Sequence, residues 1–166
     1  MPEPRLSIVV LTEQALGADD AARLVGLHAG RDAEAAMPQY RLIVPEDHGR
    51  SLLADVLDNL SLLDLRAALD SARGVDDFTR EDATGALSTS VAALAALGAT
   101  AEGQVVDGDP VAALQEAVTA HPADEVVVVT RPHAVEDTFH TDWASQARER
   151  LGVPVLHVYA GSSWLG

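Results

Sequence analysis

Hydrophobic positions along the chain switch period again and again, and each switch marks a change of element. Residues 6–11, Leu-Ser-Ile-Val-Val-Leu, are a nearly continuous β-branched apolar run, the pattern of a strand covered on both faces. From 18 to 29, Ala21, Leu24, Val25 and His28 recur at helical spacing; Asp19 and Asp20 favour the first turn and Gly30 supplies a stop. Residues 40–44 form a second apolar run, closed by Pro45, which cannot donate to a sheet ladder. A leucine-rich stripe between 52 and 69, with Leu53, Val56, Leu57, Leu60 and Leu63 on one face and Asp55, Asp58 and Asp64 off it, predicts another helix, with its exit around 74–79.

The second half repeats this alternation. A helix is predicted from about Ala83, with Leu87, Val91 and Leu94 on one face and Gly98 at its C-terminal stop. Residues 101–106 read as a third strand, weakened by Gly103. Asp109-Pro110 is a helix start, a capping carboxylate followed by proline at the first helical position, with Val111, Leu114, Ala117 and Val118 as the inner face. Four consecutive valines within 125–130 mark a central strand. Trp143, Ala144, Ala147 and Leu151 predict a helix stopped by Gly152, and 153–159 is the last strand. Five strands separated by helical segments require right-handed crossovers, so the expected fold is a doubly wound, flavodoxin-like α/β/α domain around a mainly parallel sheet.

Length makes one domain spanning residues 1–166 the expectation, because the chain is long enough for a real core but short for two. Charge excludes more: 26 acidic residues face 11 basic ones, all arginine, giving a net charge of −15. That field repels phosphate backbones and anionic membranes, and no local basic patch opposes it, so neither nucleic acid nor membrane is an expected partner. With no cysteine, disulfides, thiolate metal sites and cysteine nucleophiles are impossible. Met1-Pro2-Glu3-Pro4 has no basic leader, and 6–11 is too short for a signal or a span, so a cytoplasmic location is expected.

Gly108-Asp109-Pro110, then Ala123-Asp124-Glu125 leading into the valines, then Gly152-Val153-Pro154-Val155-Leu156-His157-Val158 resemble the universal stress protein superfamily. The resemblance implies strand order 3-2-1-4-5, in the adenine nucleotide alpha hydrolase-like arrangement, and a homodimer through the C-terminal edge strand. Nucleotide-binding members carry a glycine-rich loop after the fourth strand, whose backbone N–H groups close on phosphate. Here residues 131–143 contain no glycine and include Glu136, Asp137 and Asp142. Where the family commonly has a ribose-holding aspartate after the first strand, this chain has Thr12-Glu13. The implied reading is a divergent, regulatory or stress-related domain with no cofactor, without the glycine-rich loop.

A doubly wound sheet binds ligands at the carboxyl ends of its strands near the topological switch point. With the family's order, that point collects Thr12, Glu13, Thr130 and Arg131, with Pro45 nearby. Arg131 could clamp a phosphate or carboxylate, or pair with Glu136, Asp137 or Asp142. His133 and His140 share its loop, but their spacing matches no metal signature, so they count as candidate ligand contacts and no metal is expected. His28 and His157 read as packed, hydrogen-bonded histidines. Ser88, Thr89 and Ser90 have no base at useful spacing, so no catalytic residue is assigned. Two further readings stay open: a binding module for an adenine nucleotide or another small anion, and a nucleotide or phosphate-ester hydrolase.

Overall fold

In the computed structural model the described residues are 5–29, 36–46, 80–130 and 149–161. The elements in chain order are β1 (Ser7–Thr12), α1 (Ala18–Ala29), β2 (Gln39–Pro45), α2 (Arg80–Ala96), β3 (Thr100–Val106), α3 (Pro110–Ala120), β4 (Glu125–Thr130) and β5 (Val155–Tyr159). The helical stripe at 52–69, its exit at 74–79 and most of the helix begun at Trp143 lie outside the described residues.

The five strands form one sheet in the order β3-β2-β1-β4-β5, as the resemblance implied, and every pairing is parallel. Parallel neighbours need crossovers, and the intervening helices therefore lie on the sheet faces. Period-two alternation sorts the strand side chains between two layers. Ile8, Val10, Tyr40, Leu42, Val127 and Val129 meet Ala21 and Leu24 of α1 and Leu94 of α2. Val9, Leu11, Ile43, Val126 and Val128 face the opposite way, onto Val111, Leu114 and Ala117 of α3. Residues 8–11 and 126–129 are buried on both faces, which is why β1 and β4 need continuous apolar runs. Fully burying one such side chain contributes about 1.5–3 kcal/mol.

Local chemistry sets the element ends. Asp109 caps α3 by accepting a hydrogen bond from the Val111 amide at 2.9 Å, with Pro110 in the first turn. Gly98 follows α2 at φ +82°, a left-handed conformation that glycine adopts without steric cost. The structure places the start of α2 at Arg80, three residues before the sequence pattern placed it. Residues 80–82 are all exposed, so hydrophobic spacing could not register them.

Gly103 corrects a simple propensity argument. A Cβ there would sit 2.5 Å from the Leu42 carbonyl oxygen and 2.6 Å from Leu87 Cδ1. The glycine weakens a strand in isolation, but here its bareness lets α2 approach the β2–β3 pair.

Candidate functional site

β1 lies at the middle of the sheet with β2 on one side and β4 on the other, so the crossovers diverge beside the carboxyl ends of β1 and β4. Thr12 ends β1 fully buried. Its hydroxyl donates to the Gln14 carbonyl at 2.7 Å and accepts from the Gln14 amide at 3.4 Å, which turns the chain sharply after the strand. Glu13 follows and is also buried. Two residues beyond Gln14, the Leu16 amide donates to Ser90 Oγ at 2.8 Å, while Ser90 Oγ donates to the Ala86 carbonyl at 2.7 Å. The β1–α1 turn is thus pinned from α2.

Thr130 ends β4, fully buried, and its Oγ1 lies 2.8 Å from His157 Nε2 on β5. The His157 ring leans on Tyr159 at 4.8 Å between centroids. Hydroxyl and imidazole make a nucleophile–base contact by residue type. Both are almost wholly buried, however, so the contact serves as a strut between the end of β4 and the middle of β5. Asp20, in the first turn of α1, accepts from the Gly161 amide at 2.8 Å and from Arg23 at 3.2 Å, tying the exit of β5 to the same end of the sheet.

Pro45 ends β2 one strand away, buried and in register with Val106. The next residue, Glu46, pairs with Arg80 at 2.7 Å, an ion pair between exposed groups that contributes little to stability.

The fold therefore brings Thr12, Glu13, Pro45 and Thr130 to one end of the sheet. Arg131, His133 and His140, with Glu136, Asp137 and Asp142, lie outside the described residues. Among the described residues, no group of three or more His, Asp and Glu is placed to hold a metal.

His157 and His28 are both packed and hydrogen-bonded, as the apolar surroundings of each in sequence implied. The roles of Ser90 and Asp20 were not read from the sequence. Ser90 had a signal: it stands midway between Ala86 and Leu94 at four-residue steps, on the buried face of α2. Ser88 and Thr89, beside it in sequence, face solvent.

No family model matches the chain, and no curated protein matches it in sequence. Solved structures do match in fold. The hypothetical protein MJ0577 superposes with a TM-score of 0.57 at 16% identity, over 95% of this chain and 97% of its own. The universal stress protein from Archaeoglobus fulgidus, solved in complex with dAMP, superposes with a TM-score of 0.52 at 13% identity, over 93% of this chain and 97% of its own. At these identities the likeness is one of fold.

Proposed function

We propose that this chain is a universal stress protein-like single domain, cytoplasmic and non-catalytic, whose nucleotide site has diverged and whose role is regulatory or stress-related. One observation carries the reading: polar groups at the carboxyl ends of β1, β4 and β5 are engaged by the protein itself. The Thr12 hydroxyl serves Gln14, Thr130 serves His157, and Asp20 serves the Gly161 amide. The sequence after β4 supports the same reading, because residues 131–143 hold Pro132 and three acidic residues but no glycine. A triphosphate needs backbone donors or fixed cations to replace its lost hydration. Arg131 alone is a weak substitute, and no metal is proposed for His133 and His140.

Calorimetry with ATP and magnesium tests this reading. The expected result is no binding tighter than about millimolar, which corresponds to about 4 kcal/mol. A micromolar dissociation constant that weakens in Arg131→Ala overturns it. That outcome supports the second reading, a module that takes an adenine nucleotide or another small anion. The observation favouring this second reading is the fold shared with a universal stress protein solved with dAMP. Hydrolysis has no comparable support, since the Thr130 and His157 contact is buried.

The same reading includes a homodimer through β5. Among the described residues that strand is a sheet edge, with Val155, Leu156, Val158 and Tyr159 half-buried, and apolar edges of this kind call for cover.

A further inference from the structure

β3 ends at Val106 and α3 begins at Pro110, so Asp107, Gly108 and Asp109 carry the chain from sheet to helix at the end where the candidate site lies. Both ends of this short link are held. The Val106 carbonyl accepts from the Glu46 amide at 2.7 Å. The Asp109 carboxylate accepts from the Val111 amide at 2.9 Å, and its carbonyl from the Ala113 amide at 3.1 Å. Between these anchors Asp107 and Gly108 are exposed, and among the described residues neither makes a hydrogen bond. Gly108 adopts φ +85°, and a Cβ placed on it would meet nothing within 4 Å.

An aspartyl carboxyl group thus precedes an amide nitrogen that is neither shielded nor engaged. Elsewhere a side chain on the following residue hinders approach to that residue's own nitrogen, and a ladder or helical hydrogen bond ties up the N–H. Gly108 has neither protection. The sequence adds selectivity: Asp107-Gly108 is the single Asp-Gly step in the chain, and the one asparagine, Asn59, precedes leucine.

We propose that Asp107 is a modification site: it isomerises to isoaspartate in the folded protein, which loosens the cap on α3 and makes the link a substrate for an isoaspartyl O-methyltransferase. The Gly108 nitrogen bonds to the side-chain carboxyl carbon of Asp107. One carboxyl oxygen leaves as water, taking the Gly108 amide proton and a proton from the carboxyl group, and a cyclic imide closes. Water then adds back. Breaking the bond from nitrogen to the side-chain carbonyl restores aspartate; breaking the bond to the main-chain carbonyl leaves the chain running through the side chain, with the main-chain carboxylate free. One water is lost and one regained, so the step needs no other reactant. The isomer adds a methylene to the backbone two residues before Asp109. Between a fixed Val106 and a fixed helix, that longer link displaces the Asp109 carboxylate from the Val111 amide. The freed main-chain carboxylate is the group that such methyltransferases esterify.

The test is to age the folded chain for weeks at physiological temperature and pH, then label it with an isoaspartyl O-methyltransferase and a radioactive methyl donor. Electron-transfer fragmentation of the peptides locates the isomer. Label is expected at Asp107, rising with time and lost there in Asp107→Ala. Asp107→Asn is expected to convert faster, because ammonia leaves a carboxamide more readily than water leaves a carboxyl group, and the loss of nitrogen is read by mass. In the isomerised fraction, separated by ion exchange, the Val111 amide is expected to exchange with solvent faster than in the fresh chain. No isoaspartate at Asp107 in the folded chain, label at that peptide that persists in Asp107→Ala, or unchanged exchange at Val111 each overturns the proposal.

Discussion

Thr130 Oγ1, at the end of β4, and His157 Nε2, at the middle of the adjacent parallel strand β5, stand 2.8 Å apart, and both side chains are buried. The contact fixes the last residue of β4 to the middle residue of β5. Thr130→Val keeps the shape and removes the hydroxyl. The expected cost is about 1–3 kcal/mol, because the imidazole loses a buried partner. Urea unfolding of Thr130→Val measures it; an unchanged midpoint would show that the contact contributes nothing.

Ser90→Ala strands the Leu16 amide, whose hydrogen bond the serine accepts inside the core. A loss of about 1–3 kcal/mol is expected, while Ser88→Ala, at an exposed neighbour on the same helix, should stay within about 0.5 kcal/mol. Thermal unfolding of the two variants side by side checks the contrast. Equal effects would mean that the pin on the β1–α1 turn has no energetic weight.

Gly103→Ala forces a methyl group to within 2.5 Å of the Leu42 carbonyl oxygen. Overpacking of this kind costs about 1–3 kcal/mol. The second close neighbour, Leu87 Cδ1, can be trimmed, but the backbone carbonyl cannot. Leu87→Ala in the same chain is therefore expected to leave the variant below the natural chain in denaturant midpoint, and a full rescue would argue against the backbone clash.

Light scattering at high micromolar concentration in moderate salt is expected to give a dimer mass, from cover of the β5 edge. Leu156→Glu, at a half-buried position of that strand, should shift the mass toward the monomer. A natural chain that remains monomeric under those conditions contradicts the proposed assembly.

Most of the architecture was legible in the chain because strands, helices and their ends are set by near neighbours. Four valines in a row demand a strand with two covered faces, and Asp109-Pro110 starts a helix wherever it stands. Strand order came from resemblance to a known family, and the fold agrees with it. What the chain alone did not disclose is which distant polar groups would meet. Ser90 reaches Leu16 across 74 residues, and His28 reaches Glu125 across 97. Gly103 looked like a flaw in a strand until α2 was seen pressing on it. Such pairings depend on crossovers and parallel register that place strand ends side by side, and no local pattern of hydrophobic and polar residues encodes that distance. Periodicity thus determined which residues enter the core, and only the tertiary structure decided what each buried polar group bonds to there.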